Sequence, residues 1–84
     1  MLKESVIFAT SNNFLYAMDL DSASENVVKF EGEVAQFFFK LLNESKSLEE
    51  IVELASSTFE ASKDTIKKDL DHFVQKLNEF DLIA

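Results

Sequence analysis

The sequence predicts an α+β fold in which a three-stranded antiparallel sheet is followed by three helices. Before about residue 30, hydrophobic residues alternate in short runs that polar turns interrupt, which is typical of strands. After that point they recur every three or four residues in three successive segments, which is typical of helices. At 84 residues, the chain is expected to form one domain over residues 1–84.

Two polar connections divide the strand half. The turn Ser11–Asn13 separates two β-prone runs, because Asn tolerates left-handed backbone angles, and the polar segment 21–26 precedes a third run. The second run alternates, with Tyr16 and Met18 on one face and Leu15 on the other. The predicted strands cover residues of about 5–10, 14–20 and 26–30.

The helices have recognisable starting signals. Gly32, the single glycine of the chain, marks the junction between the third strand and the first helix. Ser47 and Glu50 fit a capping box before the second helix, and Ser62 is a suitable N-cap for the third. The run Phe37–Phe39 widens the apolar stripe of the first helix, so a buried central helix is expected. The predicted helices cover residues of about 32–43, 48–59 and 63–80.

Charge and hydropathy exclude several classes of partner. The net charge is −8 and all eight basic residues are lysines, so we expect no nucleic-acid partner, since such binding depends on neutralising phosphates. No apolar run is long enough to cross a membrane, so no membrane partner is expected. The first residues lack the pattern of a signal peptide, and a cytoplasmic location is the expectation.

No residue set supports catalysis, so the chain is not expected to be an enzyme. His72 is the single histidine and there is no cysteine, so neither a metal nor another cofactor is predicted. Asp69 and Asp71 are two residues apart on a helix and point in different directions. The pair Asp21–Ser22 invites comparison with the serine of a carrier protein, but it follows a strand instead of opening a helix, so a turn is the preferred interpretation.

The third strand suggests a binding function. Nothing in the sequence clearly supplies a further strand to pair with Val27–Phe30. An open sheet edge exposes unpaired backbone donors and acceptors, on which an extended peptide can add as a strand. The open alternatives are that a loop or a second copy of the chain covers this edge, so both a monomer and a dimer are compatible with the sequence.

Five short segments stand in one order along nearly the whole chain. They are Tyr16–Leu20, Phe39–Leu42, Ser47–Ile51, Asp69–Leu77 and Asp81–Ile83. In this order and spacing they resemble the PqqD-like family, whose members are also called RiPP precursor peptide recognition elements. The sequence departs from the family pattern at Glu31–Glu33, before the first helix, and at Asp81, which replaces a glycine.

The resemblance implies a winged helix-turn-helix domain that does not bind DNA. In that family, the leader of a ribosomally made precursor peptide adds along the third strand, in the cleft beside the third helix. The domain then presents the precursor, in the manner of a chaperone, to a separate modifying enzyme, often a radical S-adenosylmethionine enzyme. The peptide-binding residues that the resemblance implies are Val27, Val28, Lys29, Phe30, Lys67, Leu70, Asp71 and Val74. The two apolar helix positions are explained equally well as core residues, and the two charged ones as solvated residues.

Two other functions remain open at this point. The first is a non-catalytic structural or regulatory subunit that docks on a protein partner, or self-associates, through the same sheet edge. The second is a DNA-binding winged helix, which ranks third because the last helix mixes four lysines with acidic residues.

Overall fold

The computed structural model describes residues 1–22 and 26–84, so part of the polar connection predicted for residues 21–26 lies outside the described residues. The elements are β1 (Val6–Ser11), β2 (Phe14–Asp19), β3 (Val28–Glu31), α1 (Glu33–Asn43), α2 (Leu48–Thr58) and α3 (Lys63–Glu79). This order confirms the predicted α+β architecture of three antiparallel strands followed by three helices. The boundaries shift by at most two residues, and the largest shift is at β3, which begins after Val27.

The three strands form one antiparallel sheet in the order β1-β2-β3. Asn12 and Asn13 make the two-residue turn of the first hairpin, where Asn12 has a φ of 56°. On β2, Leu15 and Ala17 are buried against the helices, whereas Tyr16 lies on the outer face and is 37% exposed. The core side of the central strand therefore carries its smaller side chains.

Helix α1 lies at the centre of the core, as its apolar character predicted. Phe38 and Phe39 are almost fully buried. The ring of Phe73 on α3 lies 5.1 Å from that of Phe30 on β3 and 5.6 Å from that of Phe38 on α1. These aromatic contacts join the sheet, the central helix and the last helix into one core.

The starts of the helices follow the predicted signals. Ser47 and Glu50 form the expected capping box, and the Ser62 hydroxyl accepts a hydrogen bond from the Thr65 N–H. Gly32 precedes α1 with φ 102° and ψ 157°, a backbone region that is essentially restricted to glycine. The single glycine is thus required where the chain turns from β3 into α1.

All three helices end on a left-handed residue that is not glycine. Ser45, Glu60 and Asp81 have φ values of 64°, 51° and 56°. In each case the N–H of the next residue bonds back to the helix, as in the 2.9 Å bond from Leu82 to the Leu77 carbonyl. These Schellman endings are retained although a left-handed backbone costs a residue with a side chain roughly 1–2 kcal/mol.

Asp19 ties the end of β2 to both chain termini. Its carboxylate accepts hydrogen bonds from the Ser5 hydroxyl and from the Asp21 N–H, the latter at 3.0 Å. The Lys3 ammonium lies 3.7 Å from a carboxylate oxygen of Asp19 and 3.0 Å from one of Asp81. The Ser5 and Asp21 hydrogen bonds, with smaller help from Lys3, lower the pKa of Asp19 against the opposing effect of burial.

In the described part of the chain, no helix has the length and apolar character needed to cross a membrane.

Candidate functional site

One side of β3 has no strand beside it within the described residues, so its backbone groups face outward. The Gly32 N–H donates to the Asn13 carbonyl at 2.9 Å, which fixes the hydrogen-bonding phase of the β2–β3 ladder. Because bonded and non-bonded pairs alternate in an antiparallel ladder, Val28 and Phe30 bond to β2. The N–H and C=O groups of Lys29 and Glu31 therefore point to the free edge.

A groove of about 330 Å³ runs beside this edge, between β3, α1 and α3. Its floor is apolar and consists of Phe30, Phe38 and Phe73, with Val34 and Ala35 on the α1 side. The three aromatic residues are at least nine-tenths buried, so the floor belongs to the hydrophobic core. An extended chain placed along the edge would rest its inward side chains on a fixed surface.

The walls of the groove are polar. Glu31, Asp69, His72 and Lys76 line it above the aromatic floor. The Lys76 ammonium donates a 2.9 Å hydrogen bond to the Lys29 carbonyl and lies 4.5 Å from the centre of the Phe30 ring. Lys76 therefore contacts the backbone edge of β3 directly.

A second, more polar depression lies beside the start of β3 and the end of α3. Val28, Asn26, Glu79 and Phe80 contribute to its lining, together with Asp19. Phe80 is 49% exposed although it follows directly on α3. Acidic side chains thus line both hollows, and the Lys76 ammonium lies in the groove beside β3.

Of the predicted strand residues, Val28, Lys29 and Phe30 lie on β3 as expected, whereas Val27 lies just before it. The side chains of Val28 and Phe30 are buried, while Lys29 is exposed on the outer face, with its ammonium 4.0 Å from the centre of the Phe14 ring. Val27 precedes β3 and is 59% exposed.

The predicted helix residues lie on a different side of α3. Lys67, Leu70 and Asp71 line a separate, smaller groove whose opposite wall is α2, at Leu48 and Val52. The structure therefore places them away from the cleft beside β3, and their role in peptide binding stays a prediction. The difference is one of rotation, because two sets with the same i, i+3, i+4, i+7 spacing lie on opposite flanks of the buried stripe of the helix.

Val74 and Leu70 are better explained by packing. Leu70 is 2% exposed and belongs to the core, and Val74 is half-buried against that core. The residues of α3 that the structure brings to β3 are Asp69, His72, Phe73 and Lys76. Helical periodicity did not identify this set, because it defines a face of the helix without naming the element that the face meets.

Nothing in the described part of the chain resembles a metal centre. Among residues 1–22 and 26–84, no group of three His, Asp or Glu side chains is placed to hold a metal ion. His72, the single histidine, stands on the groove wall and is exposed. The arrangement offers backbone hydrogen bonds, an apolar floor and a few charges, which are the elements of peptide recognition.

Comparison with protein families identifies the domain. The model of the PqqD family, described as coenzyme PQQ synthesis protein D, matches residues 18–83. The chain belongs to this family. The matched PqqD segment runs from the end of β2 through all three helices, so it contains β3, α3 and the cleft between them. The family resemblance seen in the sequence is confirmed.

A solved structure shows the same fold as this PqqD-family domain. TbiB1, in complex with the TbiA(beta) leader peptide, superposes with a TM-score of 0.85 at 22% sequence identity. The match covers 99% of this chain and 93% of TbiB1. No match is found among curated proteins.

Proposed function

We propose that this domain binds the leader of a ribosomally synthesised precursor peptide as an added strand on β3. It then presents the precursor to a separate modifying enzyme, without catalysing a reaction itself. The observation that carries the proposal is the free edge of β3 beside an aromatic-floored groove. Membership of the PqqD family supports it, and so does the fold shared with TbiB1, whose structure contains a leader peptide.

The binding mode follows from the phase of the ladder. The outward N–H and C=O groups of Lys29 and Glu31 supply the hydrogen bonds that an added strand needs. These backbone bonds provide affinity for any extended chain, so selectivity between peptides depends on the side chains that contact the groove. Phe30 and Phe73 favour apolar leader residues at alternate positions. The polar side chains on the groove walls help to fix the register of the added strand along β3.

The partner enzyme and the cellular location belong to the same proposal. In this proposal the domain acts by bringing its peptide to another protein, which carries out the modification. We expect a modifying enzyme of the radical S-adenosylmethionine type, as the family resemblance implies. Precursor, domain and enzyme would then meet in the cytoplasm.

An amide chemical-shift titration with the leader of the precursor encoded beside this chain tests the binding mode. Shifts are expected at residues 28–31 and at Asp69, His72, Phe73 and Lys76, with smaller changes at Lys67 and Asp71. N-methylation of a leader residue whose N–H bonds to the edge should abolish binding. The same modification one residue along should be tolerated, since that N–H points away from β3.

Two results would contradict the proposal. Shifts confined to the groove between α2 and α3 would mean that the peptide binds there. A lack of shifts, together with a mass in solution that rises with concentration, would favour self-association through the open edge. Sedimentation equilibrium over a range of concentrations measures that mass directly.

A further inference from the structure

Lys76 occupies part of the backbone edge that an added strand would use. Its ammonium bonds to the Lys29 carbonyl at 2.9 Å, 47 residues away in sequence. The same ammonium stacks on the Phe30 ring at 4.5 Å, which fixes its position over the groove floor. The side chain is half-buried, so its place is set by packing as well as by charge.

The partners of Lys76 are unusual for a half-buried lysine. Within residues 1–22 and 26–84, the ion pairs involve Lys3 and Lys63, and none involves Lys76. Its contacts are a neutral carbonyl and an aromatic face. The bond to the carbonyl is already charge-assisted, because its donor is ionised, but it leaves the positive charge without a negative partner. A carboxylate would add the attraction of an opposite full charge.

Strand addition changes the surroundings of Lys76. The Lys29 carbonyl is an outward acceptor of β3, and an incoming backbone N–H competes for it with the Lys76 ammonium. Once displaced, the ammonium still lies over Phe30 and therefore beside the added strand. When the ammonium loses its bond to the carbonyl, its N–H groups can donate to water or to a side chain of the peptide.

We infer that Lys76 caps the free edge of β3 and, when a strand displaces it, selects an acidic residue at one position of the bound peptide. This inference rests on the proposed function, because it concerns a strand bound to the same edge. The selection is local: Glu31 and Asp69 line the same groove and oppose further negative charge toward that end. An aspartate or glutamate is therefore favoured only beside Lys76.

The cap would also disfavour pairing of this exposed edge with a second copy of itself. Edge strands are commonly protected by an inward-pointing charge, especially lysine, which an approaching strand must displace. In this domain the protecting lysine comes from α3, not from β3 itself. A leader that supplies a carboxylate compensates for the lost contact, whereas a second copy of the neutral edge backbone does not.

Selection from a displayed library of random peptides tests the inference with the intact domain and three variants. Lys76→Met keeps the apolar stem over Phe30 and removes the charge, and Lys76→Glu reverses it. Lys46→Met makes the same loss of charge in the connection between α1 and α2, away from the cleft. The wild-type domain and Lys46→Met should enrich an acidic residue at one fixed position, Lys76→Met should lose this preference, and Lys76→Glu should favour a basic residue there.

A cycle of affinities then measures the coupling. Replacing the selected acid by its amide should weaken binding to the wild-type domain about fivefold to tenfold, and to Lys76→Met less than twofold, as expected for a partly desolvated charge pair. Edge-directed peptides without a common acidic position, or an equal loss in both proteins, would overturn the inference and leave strand addition intact. Failure of every selected peptide to shift the β3 amides would overturn both. Amide spectra of the free variants confirm that each one is folded.

Discussion

The two flanks of α3 resemble each other in sequence and differ in what they face. On one flank, Asp69 and Lys76 look onto β3, whose outer backbone groups have no strand partner among the described residues. On the other flank, Lys67 and Asp71 look onto α2. Each flank has one lysine and one aspartate beside the same apolar stripe.

The difference lies in the backbone of the neighbouring element. A helix satisfies its internal N–H and C=O groups within itself, so the groove against α2 offers only side chains. The edge of β3 offers a row of directed donors and acceptors next to an aromatic floor. A peptide backbone can therefore form strand-like hydrogen bonds on the β3 flank only. The following predictions test that contrast in order of expected effect.

The largest effect is expected from removing one outward donor of β3. Lys29→Pro deletes an N–H that points to the free edge, and proline is tolerated on edge strands in that orientation. The leader should bind more than about tenfold more weakly, because a peptide carbonyl loses its partner. Calorimetric titration measures the affinity. Phe30→Pro, which deletes a donor to β2, should instead unfold the domain, and equal behaviour of the two variants would refute the assigned phase of the ladder.

Charge reversal compares the flanks directly. Lys76→Glu should weaken leader binding about fivefold to tenfold, because the reversed charge lies within the cleft. Lys67→Glu should change the affinity less than twofold, because its charge lies outside that cleft. Fluorescence anisotropy with a labelled leader is sufficient to separate these values. A larger effect at Lys67 than at Lys76 would instead support the α3 residues that were predicted from the sequence.

The β3 flank also ends beside the buried carboxylate of Asp19, which makes the free energy of unfolding depend on pH. Hydrogen bonds from Ser5 and Asp21 lower the pKa of Asp19. Their contribution is therefore fully present above the ordinary carboxyl pKa of about 4 and is lost as the pH falls through the lower folded-state value. Urea midpoints across that range should fall less steeply for Asp19→Asn. Asp71→Asn, an exposed position on the other flank, should reproduce the wild-type slope.

The smallest effect concerns the connection on the α2 flank. Glu60 has a φ of 51° at the end of α2, a conformation that glycine adopts without strain. Glu60→Gly should therefore raise the free energy of unfolding by about 0.5–1 kcal/mol, because relief of left-handed strain outweighs the greater entropy of the unfolded glycine. Chemical denaturation measures this change. Leader affinity should stay the same, and a shift in affinity would show that the two flanks are coupled.

Much of the fold was predictable because it depends on local signals. The capping box of Ser47 and Glu50, the Ser62 cap and the glycine before α1 are short-range features, and the structure contains each of them. Asp81, which departs from the family pattern, still takes the left-handed angle at φ 56°. The hydrogen bonds and burial of Leu82 at that helix end outweigh the preference for glycine.

The site was predictable in part. The open third strand was expected from the lack of a further strand in the sequence, and Lys29 and Phe30 stand on it. The α3 residues predicted for the site lie on the flank that faces α2. The sequence could not separate the two flanks, because Lys67 and Lys76 occupy equivalent positions beside the hydrophobic stripe. No periodicity argument separates them, since each lies at helical spacing from an aspartate and from a core residue.

The sequence by itself determined which segments are strands and helices, where they begin and end to within two residues, and which face of each is apolar. These features depend mainly on residues close together in the sequence. Only the tertiary structure decided that α3 sets Lys76 against the Lys29 carbonyl and turns Lys67 toward α2. That choice depends on how three helices pack on one sheet face. The two flanks lie roughly half a helical turn apart, one on each side of the apolar stripe. The hydrophobic pattern fixes the stripe but does not say which flank meets the free backbone edge.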